Sequence, residues 1–313
     1  MQTLLLVDGN ALMHRAYYAL PPFKAQDGTP TNAIYGFFTM LHKAITDFNP
    51  QYVAVCFDTP KPTFRQEIYK EYQIQRPKMD NDLSQQFPLV KELLDKAGLF
   101  HEEKEGFEAD DIIGTIVHHV KQDKNMKILI LTGDKDIMQL IDENVFTVNP
   151  QIGFSKTKIY NRQEVLSKFG IQPEQIADFK ALVGDPSDNY PGVKGIGPKN
   201  AVILLQKFET IDNLLKHLEE VAGKMKPILK ANKKEIALSK KLSQIVANAP
   251  IKFKLEQSQF DGFKRELREG LLALNITSLT ARFFPANKSK LAEKTKKQTK
   301  QTKTEADAQI GLF

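Results

Sequence analysis

Thr3-Leu4-Leu5-Leu6-Val7-Asp8 is the stretch from which the fold follows. Five residues without polar alternation, closed by an acid, indicate a strand buried on both faces. Two more such runs come later: Tyr52-Val53-Ala54-Val55-Cys56-Phe57-Asp58, and Lys127-Ile128-Leu129-Ile130-Leu131-Thr132-Gly133-Asp134. Helical patterns at 33–48, 83–97 and 109–121 separate them. Strand–helix–strand alternation predicts an α/β domain with a mostly parallel sheet.

Beyond residue 160 the texture becomes helical. Short helices are expected at 162–169, 173–182, 199–208, 210–218 and 225–242, with 251–253 and a helix at 263–274 closing the body. From 286 the composition collapses to Lys, Thr, Gln, Ala and Glu, which cannot bury a core and predicts a disordered tail. The expected division is thus 1–160, 161–285 and 286–313, with no internal repeat.

The 313 residues are 41% hydrophobic and 26% charged, enough for a sizeable core in one large domain or two small ones. This excludes a collagen-like, disordered or disulfide-stapled chain. The single cysteine, Cys56, lies in a strand and is expected to be a buried thiol. No apolar run suits a signal segment or a membrane span, which points to a soluble, cytoplasmic protein. Net charge is +6, but residues 288–313 hold seven lysines against three acids, so the body is nearly neutral. Overall basicity is therefore weak evidence for a nucleic-acid partner.

Each strand runs into an aspartate: Asp8, Asp58 and Asp134. Ligands of open parallel sheets bind at the carboxyl ends of strands, so these acids can share one crevice. A helix cap is the other reading of any single one. Glu108-Ala109-Asp110-Asp111 opens a helix, Asp136 follows Asp134, and Asp185 and Asp188 sit in a Gly/Pro-rich loop. Nine acids brought together would repel at large cost unless cations hold them. Oxygen-only donors suit Mg²⁺ or Mn²⁺ and disfavour zinc, and the adjacent His118-His119 lacks zinc spacing. Two such cations form the apparatus for attack at a phosphodiester.

Gly195-Ile196-Gly197, flanked by Lys194 and Lys199, precedes a helix and offers backbone amides to an anion. It is neither a Walker A loop nor a dinucleotide fingerprint. It fits a helix–hairpin–helix grip on duplex phosphates, or an ordinary interhelical turn. Residues 64–83 interleave Arg65, Lys70, Arg76 and Lys78 with Phe64, Tyr69 and Tyr72, as a single-strand channel or a solvated helix would.

Together these motifs resemble the 5′-nuclease (flap endonuclease) family, and most closely the 5′→3′ exonuclease domain of bacterial DNA polymerase I. They are Leu5-Leu6-Val7-Asp8-Gly9-Asn10, Phe57-Asp58, Gly106-Phe107-Glu108-Ala109-Asp110-Asp111, Thr132-Gly133-Asp134-Lys135-Asp136, and Gly184-Asp185-Pro186-Ser187-Asp188-Asn189 running into Gly195-Ile196-Gly197-Pro198-Lys199. Coverage is roughly 1–285. The resemblance implies a PIN-like α/β nuclease domain with a helical arch near 64–83, and a helical DNA-binding half whose helix–three-turn–helix lies near 184–201. It implies a metal-dependent 5′→3′ exodeoxyribonuclease and flap endonuclease, serving primer removal and repair. One metal would be held by Asp8, Asp58, Glu108, Asp110 and Asp111, the second by Asp134, Asp136, Asp185 and Asp188. K⁺ would bind at the glycine turn. Arg76 and Lys70 would position the reacting phosphate. Arg15, Arg65, Tyr72, Lys78, Lys194, Gly195, Gly197 and Lys199 would contact DNA.

The chain departs from the pattern at Gln73, where the arch usually carries a lysine, at Tyr190 for isoleucine, at Asn200 for threonine, and at Lys78 where proline is common. Losing a fixed charge at the reacting phosphate would cost on the order of 10²–10³ in rate. The alternative is therefore a DNA-junction binding module with weak catalysis; a phosphatase of another α/β fold leaves the glycine turn and arch without purpose. No polymerase segment follows, as in a stand-alone or excised nuclease. The ending Gln309-Ile310-Gly311-Leu312-Phe313 resembles a sliding-clamp-binding peptide, with Gln309, Ile310, Leu312 and Phe313 as anchors. Expected partners are DNA with 5′ flaps or 5′ ends, RNA-primed DNA and the clamp, bound by a monomer.

Overall fold

The computed structural model describes residues 1–151 and 156–285. Strands β1 (Gln2–Asp8), β2 (Tyr52–Phe57), β3 (Phe100–Glu103), β4 (Met126–Leu131), β5 (Val145–Pro150) and β6 (Thr157–Tyr160) form one sheet in the order β3-β2-β1-β4-β5-β6. All neighbours pair parallel except β5 with β6. The three strands read from sequence are its centre. The edge strands β3 and β6 lack a long apolar run, because their burial is only partial.

Side chains alternate across β1, and both faces are covered. Leu5 and Val7 face one way, with Val53, Val55 and Phe57, against helices α1 (Gly9–Ala19), α2 (Asn32–Phe48) and, beyond α3 (Phe64–Ile68) and α4 (Asn81–Ser84), α5 (Gln86–Ala97). Leu4, Leu6, Ala54 and Cys56 face the other way, against Ile112, Ile113 and Ile116 of α6 (Ala109–Val120). Each fully buried aliphatic side chain contributes about 1.5–3 kcal/mol. Cys56 is wholly buried, as expected, and His118 and His119 are exposed.

Helices α7 (Arg162–Phe169), α8 (Ile176–Val183), α9 (Pro198–Phe208), α10 (Ile211–Lys216), α11 (Met225–Ala231) and α12 (Lys233–Ser243) build a second core around Leu182, Leu205, Leu214 and Ile236. The single helix expected at 225–242 is two, interrupted at Asn232. Helices α13 (Glu266–Ala273) and α14 (Thr277–Phe283) return to the first core, where Leu267, Leu271 and Leu279 pack with the α5 and α2 side. A short hairpin of β7 (Gly184–Asp185) and β8 (Tyr190–Pro191) precedes the glycine turn. Its open end needs glycine on both strands: a Cβ on Gly184 would lie 2.2 Å from the Gly192 nitrogen, and one on Gly192 would lie 2.1 Å from the Val183 carbonyl carbon. Among the described residues no helix is long and apolar enough to cross a membrane.

Candidate active site

The order of strands reverses between β1 and β4, the place where open parallel sheets bind their ligands. Asp8 ends β1, Asp58 follows β2, and Asp134 follows β4, so three acids stand in a row on adjacent strands. Asp8 also caps α1, accepting from the Ala11 amide at 2.9 Å, while its other oxygen accepts from Thr132 Oγ1 at 2.8 Å. Capping and convergence are thus the same geometry. The Asn10 side chain takes the Asp58 amide at 2.9 Å, and Asp58 accepts from the Ala109 amide at 2.7 Å at the start of α6. That contact brings Glu108 and Asp110 to the strand-end acids.

Burial dominates the electrostatics of this first group and is only partly offset: Arg65 Nη1 donates to Glu108 Oε2 at 3.0 Å. Burial pushes the Asp8 carboxyl up to about 7, against the Ala11 and Thr132 hydrogen bonds, and neighbouring Asp134 and Asp58 raise it further. Burial likewise raises Asp58, takes Glu108 to about 7, and lifts Asp110 well above the usual carboxylate range. Asp110 Oδ1 is buried without a hydrogen-bond donor among the described residues. An orphaned carboxylate oxygen among raised carboxyls fits a hard divalent cation.

Asp111 departs from the expected ligand set. Oδ2 accepts from Arg65 Nη1 at 2.7 Å and the Glu108 amide at 3.1 Å; Oδ1 accepts from Arg65 Nη2 at 2.9 Å and the Val246 amide at 3.0 Å. One of its oxygens lies near those of Glu108 and Asp110, but its lone pairs are all engaged, so it anchors Arg65 instead. Arg65 in turn is 1% exposed and donates to the Leu242 and Gln244 carbonyls, which removes it from the DNA-contact set. Tyr72, 3% exposed and stacked on Tyr190, cannot receive a base either.

Asp136, Asp185 and Asp188 form a second group, with one oxygen from each within 4.8 Å of the others. Here cations already stand. Lys180 of α8 bridges Asp136 and Asp185, and Arg76 reaches Asp188 at 2.5 Å. Burial still lifts Asp136 to about 6. Burial opposes ionisation of Asp185 too, but Lys180 and Ser187 outweigh it and hold the carboxyl low. Two carboxylates sharing an ammonium are likewise a donor set for a hard cation. Asp134 is exposed and touches this group through the Asp136 amide, 2.8 Å from its Oδ1. Lys180 escaped sequence reading; its one signal is a basic residue in the otherwise apolar turn ending α8.

The arch base joins the two groups. Gln73 adopts a left-handed conformation, φ 56°, a strained one for a residue with a side chain. Its amide donates to the Asp188 carbonyl at 2.9 Å, and Asn189 Nδ2 donates to the Glu71 carbonyl at 2.8 Å. The Gln73 side chain lies 3.2 Å from Asp188 and 3.4 Å from Glu108. Lys70 and Gln73 line a cleft of about 310 Å³ with Gln66 and Tyr72. Lys70, Arg76 and Lys78 are exposed, and Arg15 is half-buried with its Nε unpaired among the described residues. The segment near 64–83, where the resemblance implies a helical arch, consists of α3, a turn and α4.

Lys194, Gly195, Gly197 and Lys199 are exposed around the start of α9. Gly195 has φ 97°, and Gly197 leaves open space where a Cβ would stand. Gln309, Ile310, Leu312 and Phe313 lie outside the described residues.

Known proteins show the same arrangement of chain. Residues 3–170 match the 5′-3′ exonuclease N-terminal, resolvase-like domain, and 171–266 match the 5′-3′ exonuclease C-terminal SAM fold. The chain is 38% identical over 274 residues to a 5′-3′ exonuclease of Aquifex aeolicus (strain VF5), covering 86% of this chain and 92% of that one. It is 40% identical over 264 residues to DNA polymerase I of Bacillus subtilis (strain 168), covering 84% of this chain but 30% of the polymerase. Two solved structures share the fold. T5 D15 protein co-crystallised with metal ions has a TM-score of 0.63 at 19% identity, over 90% of this chain and 97% of that one. The catalytic core of Rad2 in complex with DNA substrate (complex IV) has a TM-score of 0.57 at 15% identity, over 90% and 91%.

Proposed function

The chain belongs to the 5′-3′ exonuclease family, and from that premise we propose that it hydrolyses phosphodiesters at 5′ ends and 5′ flaps of DNA with two Mg²⁺ ions, Mn²⁺ substituting. The observation that carries this is the pair of acidic groups at the sheet's reversal point, tied together by one arch segment. Asp8, Asp58, Glu108 and Asp110 hold one ion. Asp136, Asp185 and Asp188 hold the other, with Asp134 between the groups. When bound, such ions lower the pKa of coordinated water and offset charge on the attacking and leaving oxygens.

The protein's own groups orient the substrate. Arg76 exchanges Asp188 for a phosphate oxygen, and Lys70 lies along the same cleft. Arg15 and Lys78 supply further charge. Lys194, Lys199 and the amides near Gly195 and Gly197 hold duplex phosphates without reading sequence, with K⁺ at that turn. The substrates include flaps and RNA-primed 5′ ends in primer removal and repair, which places the protein in the cytoplasm. The protein acts as a monomer, and the terminal peptide docks on a sliding clamp.

The test is single-turnover cleavage of a 5′-flap duplex in Mg²⁺ and in EDTA, with binding measured in Ca²⁺. Cleavage near the junction in Mg²⁺ alone is expected. Tight binding without cleavage would establish the junction-binding module instead, with Gln73 the first residue to restore to lysine.

A further inference from the structure

Tyr190 carries a hydroxyl that is buried and has no hydrogen-bond partner among the described residues. An unsatisfied buried hydroxyl costs about 1–3 kcal/mol, and an apolar side chain would fill the space without that cost. Two features set it beside the second acidic group. The β7–β8 register sets Tyr190 directly opposite Asp185. Its ring stacks on Tyr72 at 6.4 Å and 16°, and the Tyr72 hydroxyl sits 3.4 Å from both Asp188 and Glu108.

The carboxylates do not need this donor. Lys180 and Ser187 serve Asp185, and Arg76 and Gln73 serve Asp188. The hydroxyl is therefore available to whatever those carboxylates bind. We infer that Tyr190 is a positioning residue for the second cation, donating its phenol hydrogen to the hydration shell of a divalent ion held by Asp136, Asp185 and Asp188. Hard cations keep several waters when bound by a few carboxylates, and groups that hydrogen-bond around a metal strongly affect its affinity. The Tyr72–Tyr190 stack then links the arch to that ion's waters. The inference rests on the two-metal nuclease reading.

The experiment is a Mn²⁺ titration of the full chain without DNA, followed by electron paramagnetic resonance, beside thermal melting in EDTA. Tyr190→Phe keeps the ring and its stack and removes only the hydroxyl. One class of Mn²⁺ site should weaken about 3- to 10-fold, as for loss of one net hydrogen bond. Asp188→Asn should weaken the same class. In EDTA the Tyr190→Phe protein should melt at the wild-type temperature or above it. Superimposable isotherms would overturn the inference while leaving the nuclease reading standing. So would a lowered melting temperature in EDTA with both classes weakened, which marks a structural hydroxyl. Wild-type protein that takes up no Mn²⁺ would sink the nuclease reading itself, a result distinct from either.

Discussion

Asp8, Asp58, Glu108 and Asp110 on one side, and Asp136, Asp185 and Asp188 on the other, are acidic groups of similar size that differ in how far basic side chains offset their burial. Burial dominates in the first: its carboxyls are raised although Arg65 reaches Glu108, Asp110 Oδ1 lacks a donor among the described residues, and Arg65 is held mainly by Asp111. In the second, Lys180 and Arg76 already supply positive charge, and Asp185 is held low. The first group must take up protons or a cation. The second exchanges one cation for another. Proximity of carboxylates therefore does not define a metal site by itself; what surrounds them sets whether binding is a capture or a replacement.

The largest effect is expected at the orphaned carboxylate. Asp110→Ala should reduce single-turnover cleavage about 10³-fold or more while flap binding in Ca²⁺ stays near wild type. Near-normal turnover would remove the first group from the chemistry. Arg65→Ala should cost about 3–5 kcal/mol in denaturant unfolding, because it strands buried Asp111. Arg65→Lys should recover little of it, since a lysine cannot make the forked contact. A loss below ~1 kcal/mol would show that Asp111 is not anchored this way.

The contrast also predicts a pH signature. Asp8 and Glu108 titrate near 7 when folded, above their ordinary values of 3.8 and 4.5. The folded, metal-free protein thus holds more protons between those limits, and these two groups lower its stability as pH rises through that window. Mg²⁺ must displace those protons. Its affinity for the first group should rise up to about tenfold per pH unit for each proton released, levelling off above pH 7. Calorimetry at four pH values checks this, and a flat profile would break the contrast. The smallest effect is expected at Lys180→Met, which removes the standing ammonium. Mg²⁺ binding to Asp136, Asp185 and Asp188 should tighten about 3- to 10-fold; weaker binding would mean that Lys180 assists the ion.

The sequence was most informative where the chemistry is local. A run such as Leu4-Leu5-Leu6-Val7 buries both faces whatever its neighbours, so the central strands were legible. The acids at the strand ends were legible because a parallel sheet fixes where its carboxyl ends point. β3 and β6, half-exposed at the edges, gave no comparable signal. Residues 64–83 were legible only in part, for another reason. Basic and aromatic side chains there suggested contact with nucleic acid, but Arg65 and Tyr72 face inward.

By itself, then, the sequence determined the α/β class, the three central strands, the acidic character of the site and the positions of nearly all its carboxylates. Each of these depends on residues within a few positions of one another, on side-chain period or on a strand's end. Only the tertiary structure decided which polar groups are spent on holding the fold. Arg65 meets Asp111 and the Leu242 carbonyl across 46 and 177 residues, and Gln73 meets Asp188 across 115. It also separated carboxyls that burial holds high from a carboxyl that a lysine holds low, and left the Tyr190 hydroxyl without a partner among the described residues. Burial and pairing belong to neighbours in space, and a chain read in order does not contain that distance.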